Sequence, residues 1–113
     1  MQENNNNTEL TVSNEVIEKI AEIAAKEVDG VADLTKKAVD IKNLNYFNKA
    51  VKVMQVDGTI SLDIYVTLKK DAKLRETVSA VQENVKDKIQ TNTGIAVTKV
   101  NIIVADISEE AEN

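Results

Sequence analysis

Cysteine, histidine, tryptophan and proline are all missing from this 113-residue chain, and glycine occurs only three times. Without Cys or His there is no disulfide framework, no thiol nucleophile, no histidine general base and no Cys/His metal site. The chain is therefore compatible with a reducing cytoplasm. No apolar run approaches the roughly 20 residues that cross a bilayer as a helix. The opening MQENNNNTEL has neither the basic start nor the apolar middle of a secretory signal. Membrane contact, if any, is expected through a partner or a surface patch. Positive charge is in deficit, 14 basic against 19 acidic residues for a net charge of −5. That balance opposes non-specific binding to nucleic acid or to an anionic membrane. What remains is ordinary: 42% apolar and 29% charged residues are enough for one modest core.

The clearest instruction in the chain is Ala50 to Leu68, AVKVMQVDGTISLDIYVTL, two alternating apolar runs meeting at Asp57-Gly58. That dipeptide tolerates positive φ at both central positions of a type I′ turn, so it predicts a tight hairpin of fixed register. Val56 then faces Thr59, Val53 faces Leu62, Lys52 faces Asp63 and Val51 faces Ile64. One face collects Val51, Val53, Ile60, Leu62, Ile64, Val66 and Leu68; the other takes Lys52, Met54, Ser61, Asp63, Tyr65 and Thr67.

Residues 1–8, with the run Asn4 to Asn7, are too polar to offset their ordering entropy and are expected to be a disordered tail. A single domain is expected over residues 9–107. Glu9 to Val12 alternates enough to add an edge strand. Ser13 reads as an N-cap for a helix from Asn14 to Asp29, with Val16, Ile17, Ile20, Ala21, Ile23, Ala24 and Val28 on its apolar face. Gly30 reads as its left-handed C′ residue, and Val31 and Leu34 lead away from it.

Thr35 to Lys49, TKKAVDIKNLNYFNK, carries Lys36, Lys37, Lys42, Tyr46 and Phe47. It reads either as a basic, apolar docking surface or, more plainly, as a connector whose Phe47 and Leu44 plug the core. After the hairpin, Asp71 reads as an N-cap for a helix whose stripe is Leu74, Val78, Val81, Val85 and Ile89, stopped at Asn92 or Gly94. Ile95 to Ile107 is the last strand. Val100, Ile102 and Val104 point one way, and Lys99, Asn101, Ile103, Ala105 and Ile107 the other. Residues 108–113, SEEAEN, are expected to form an acidic flexible tail.

The expected fold is α+β: a two-layer sandwich of a three-stranded, mainly antiparallel sheet with two helices on one face, in the order (β)αββαβ. The last strand is placed beside Ala50 to Val56 and antiparallel to it. The uncovered sheet face then presents Met54, Tyr65 and Ile103 among polar neighbours, a mixed surface suited to a protein partner or a second copy.

Three blocks resemble the alkaline-shock family of Gram-positive bacteria, also called the envelope stress response or glucose-starvation general stress family. They are VSNEVIEKIAEIAAKEVDGVADL, the hairpin VKVMQVDGTISLDIYVTL, and the ending from Val78 through TGIAVTKVNIIVADI. In the last, Thr93, Gly94, Val97, Val100, Asn101 and Val104 match the family's TGxxVxxVNVxVxxI. The chain departs from the family in its lysine- and aromatic-containing connector and in Val66-Thr67-Leu68-Lys69, where many members read VxYG. The resemblance implies a non-catalytic cytoplasmic protein at the inner face of the membrane, self-associating and held there by a separate membrane-anchor protein. The alternative it implies, second to the envelope role, is a regulatory partner of a cytoplasmic fatty-acid-synthesis enzyme such as acetyl-CoA carboxylase.

Two other classes fare poorly. Two helices on a three-stranded sheet bring KH-type nucleic-acid binding to mind, but Gly30, Gly58 and Gly94 stand alone at turns, so there is no GXXG clamp. No phosphate loop, nucleophile elbow or carboxylate metal loop appears, and the Asp and Glu residues read as helix faces, turns or caps. No catalytic residue, metal ligand or cofactor is expected.

Overall fold

The computed structural model describes residues 11–35 and 49–109. The elements run α1 (Asn14–Lys26), β1 (Val31–Leu34), β2 (Val51–Val56), β3 (Thr59–Leu68), α2 (Leu74–Thr93) and β4 (Ala96–Ile107). The expected α+β two-layer sandwich is present, with both helices packed on one face of the sheet. The sheet, however, has four strands, because Val31–Leu34 is itself a strand. An irregularity between Val31 and Asp33 breaks its alternation, which hid it as a lead-away segment. Thr11 and Val12 lie outside any strand, and Glu9 and Leu10 fall outside the described residues.

The hairpin forms in the expected register, from Val56 opposite Thr59 to Val51 opposite Ile64. Asp57 and Gly58 adopt φ of 52° and 76°, the double positive φ of the turn that Asp-Gly tolerates. Strand β3 alternates buried and half-buried residues along its whole length. Ile60, Leu62, Ile64, Val66 and Leu68 form the centre of the core, joined by Ile17, Ala21, Ala24 and Ala25 of α1 and Val81, Val85 and Ile89 of α2. Burying each of the larger of these side chains contributes about 1.5–3 kcal/mol.

The last strand is not beside β2. It runs parallel to β3, from Thr59 opposite Ala96 to Leu68 opposite Ile107. The reason is length: β4 has 12 residues and β3 has 10, whereas β2 offers only 6. Its register slips at Thr98 and again at Ala105, between the pairs Val66–Val104 and Thr67–Asp106. The second slip returns Ile107 to the helix-facing row with Leu68, so Ile107 does not belong with Lys99 and Ile103.

Ser13 caps α1 as its residue type requires, its Oγ accepting from the Val16 N–H at 3.3 Å. The helix stops at Lys26 with Glu27 as C-cap, short of Asp29, because the Val28 N–H turns back to the Ala25 carbonyl. Gly30 is thus not the C′ residue; it lies in the turn entering β1 at φ +98°. Helix α2 begins at Leu74 after Lys73 with no side-chain cap, so Asp71 does not cap it. Gly94, at φ +76°, closes the other end through its N–H to the Gln90 carbonyl.

A Cβ on Gly30 would stand 2.8 Å from Thr77 Oγ1 and 3.2 Å from Ala72 Cβ, whereas one on Gly58 would meet nothing within 4 Å. Both positions carry positive φ, so crowding separates them. Gly30→Ala is expected to destabilise by about 2–4 kcal/mol and Gly58→Ala by about 1 kcal/mol, read from urea unfolding midpoints. Equal losses would show that the Thr77 contact is not a constraint.

Candidate interaction surface

The helix-free face of the sheet is built by one side of each strand's pleat. Its central strand contributes Ser61, Asp63, Tyr65 and Thr67, all half-buried. Tyr65 and Ile103 sit directly opposite each other in the parallel β3–β4 pair, so the sheet brings these two expected surface residues together. Both are half-buried. Met54 lies on the same face but opposite Ser61, two open-face rows from Tyr65, and is 61% exposed. It belongs to a separate patch with Val56 at the hairpin tip, not to the Tyr65–Ile103 pair. Around them the surface is polar: Lys52 is opposite Asp63, and the Asp63 carboxylate accepts from Asn101 Nδ2 at 3.3 Å.

Strands β1 and β2 occupy one edge of β3 end to end. Leu34 pairs with Val66 and Val51 with Ile64, leaving Tyr65 between them. The Tyr65 N–H donates to the Ala50 carbonyl, and the Tyr65 carbonyl accepts from the Thr35 N–H, each at 2.8 Å. A regular antiparallel partner would supply both groups from one residue. Here they come from Thr35 and Ala50, so Thr35 to Lys49 is an excursion inserted within a single edge strand. Its two ends are fixed at Tyr65. Thr35 Oγ1 also hydrogen-bonds Thr67 Oγ1, and Lys49 Nζ pairs with Glu18 at 3.2 Å. The expected surface residues Lys36, Lys37, Lys42, Tyr46 and Phe47 lie outside the described residues.

A second apolar surface escaped the sequence reading. The apolar face of α1 is wider than the sheet can cover: Val16 and Ile23 remain 49% and 53% exposed, while Ile17 and Ala21 are fully buried. Val16, Ile20 and Ile23 line a groove of about 530 Å3 with Lys88 and Asn92 of α2. The signal was available, since these three recur at i, i+4 and i+7, but periodicity does not say which part of a broad face is covered. Among the described residues no group of three or more acidic side chains is placed to hold a metal ion. No helix among them is long and apolar enough to cross a membrane.

The sequence profile of one family matches residues 2–109. This chain belongs to the alkaline-shock protein 23 family, a family of cell envelope-related function. Among its relatives, the uncharacterized protein YqhY of Bacillus subtilis is 32% identical over 103 residues, covering 87% of this chain and 76% of YqhY. YloU of the same organism is 30% identical over 105 residues, with 88% of each chain covered. Spy1535 of Streptococcus pyogenes is 33% identical over 104 residues, covering 90% of this chain and 81% of that protein. Among solved structures, a variant of the MamM CTD superposes with a TM-score of 0.56 at 17% identity, covering 90% of this chain and 86% of that one. The copper form of the same domain gives 0.54 at 13% identity, covering 88% and 91%. At that identity the likeness is one of fold.

Because Thr35 and Ala50 meet at one residue, deleting residues 36–49 would leave both opposite Tyr65 as a simple bulge. The shortened chain is expected to unfold cooperatively, with stability changed by less than about 1 kcal/mol in urea titrations. Loss of cooperative unfolding would instead mean that the connector plugs the core.

Proposed function

We propose that this chain is a non-catalytic interaction module of the envelope stress response, acting at the inner face of the membrane through a membrane-anchor partner and through association with further copies of itself. The observation that carries this reading is the junction at Tyr65. Tyr65 carries its side chain on the open face while its main chain holds both ends of an inserted, lysine- and aromatic-containing connector at the β1–β2 edge. An insertion rooted at the edge of a partly apolar sheet face is a common way to add recognition to a scaffold without disturbing its core. The family's envelope-related function supports the same reading. Specificity in this scheme resides in the connector and in the Tyr65–Ile103 pair, while the helices and β3 supply rigidity.

Crosslinked affinity capture of the intact chain from its native cells, with membrane and soluble fractions analysed separately, tests this. A small protein with transmembrane helices is expected to dominate the membrane fraction. Tyr65→Glu is expected to reduce its recovery about tenfold, an effect of the size of one interface anchor. Predominance of acetyl-CoA carboxylase or another soluble lipid-synthesis enzyme would replace the envelope role with a regulatory one.

A further inference from the structure

The two edges of the sheet are finished differently, and the β4 edge is left half open. In β3 the odd-numbered Tyr65 turns its N–H and carbonyl toward β1 and β2, and the even-numbered Leu68 turns its carbonyl the other way, to the Ser108 N–H. Main-chain groups alternate in direction along a strand. Leu62, Ile64 and Val66 therefore point theirs at β4. In a parallel ladder the residue facing such a position points its own groups away. Val100, Ile102 and Val104, which face those three, accordingly direct their N–H and carbonyl groups outward. The first part of this edge is capped by α2. Gln82 Nε2 donates to the Val100 carbonyl at 3.1 Å, and the Val97 N–H donates to Gln90 Oε1 at 3.0 Å. Past Val100 the capping ends. Among the described residues nothing pairs with the outer edge of β4, and the side chains of Val100, Ile102 and Val104 are only partly covered.

We infer that the Ile102 to Val104 edge of β4 pairs with the same edge of a second copy, antiparallel about a two-fold axis through Ile103. This rests on the self-association in the proposed function and specifies its surface. Open main-chain groups select an extended strand as occupant. Of the chain's own undescribed segments, residues 110–113 follow β4 itself but number only four, and the described ends of the other two lie away from this edge. The N-terminal residues arrive beside β2, where Gln55 Nε2 holds the Val12 carbonyl at 2.9 Å, and the connector leaves from the β1–β2 edge.

A second copy also fits by chemistry. With Ile103 on the axis, Ile102 of each copy faces Val104 of the other, giving two hydrogen-bonded pairs and leaving both glutamine caps in place. The centre is then wholly apolar. Lys99 and Asp106 both stand on the open face, opposite Ser61 and Thr67. Counting the slip at Ala105, antiparallel pairing sets Asp106 of each copy opposite Asn101 of the other and diagonal to its Lys99, within reach of that long side chain, whereas parallel pairing would set like charges together. The product is one continuous sheet of eight strands with all four helices on the same side.

The register predicts that Ile103 meets itself. Ile103→Glu and Ile103→Lys should each weaken self-association by at least about tenfold in sedimentation equilibrium, since like charges then face each other. An equimolar mixture of the two variants should recover it. In the unmodified full chain, the Ile102 and Val104 amides should exchange rapidly when dilute and slow together as concentration rises. Self-association with those amides still fast at high concentration, or without recovery in the mixture, overturns the edge pairing while leaving self-association standing. A monomer at all concentrations overturns both.

Discussion

Everything in this fold hangs on the double alternation of β3. Its even-numbered residues send their side chains into the helix layer and their main-chain groups to β4. Its odd-numbered residues send side chains to the open face and main-chain groups to β1 and β2. A slip of one residue would expose Ile60, Leu62, Ile64, Val66 and Leu68 together and reassign both ladders at once. The two-residue turn at Asp57-Gly58 prevents that slip by tying β3 to β2 at a single register. Core, open face and both edges are consequences of where that turn lies.

Short-range chemistry was legible in part: the Asp71 cap and the Gly30 stop expected from residue type are not formed, because α2 starts after Lys73 and α1 ends on its Glu27 cap, but three other local signals hold. Asp57-Gly58, the Ser13 cap and the Gly94 stop each act within a few residues, and each is where its residue type predicts. The parts that depend on a break in period were not legible. The irregularity near Ala32 concealed β1, and the slip at Ala105 reversed the face of Ile107. Strand order was misjudged for another reason, since nothing local distinguishes pairing with β2 from pairing with β3; the match in strand length decides it. Of the candidate surface, Tyr65 and Ile103 were correctly seen to share a face, because alternation is reliable over short runs. Met54 shares the face but not the neighbourhood.

The surfaces divide the molecule by task. The helix layer offers a groove at Val16, Ile20 and Ile23, the open face offers Tyr65 and Ile103, and the β4 edge offers main-chain groups. These point in different directions. A partner held at the Tyr65 junction therefore need not compete with a second copy at the β4 edge, although Ile103 borders both. Net charge works against association in general, and the uncharged stretch from Asn101 to Ala105 lies where that repulsion is locally weakest.

The split edge strand has a further consequence for how such a protein can diversify. The two ends of the connector are already held at one residue by β1 and β2, so an insertion there costs the fold little beyond its closure. That cost grows slowly, by about 0.6 kcal/mol for each doubling of loop length. The stretch between Thr35 and Ala50 can therefore lengthen, shorten or change its chemistry with little effect on the sheet, and a population of related chains could bind different partners at Tyr65 from one unchanged framework.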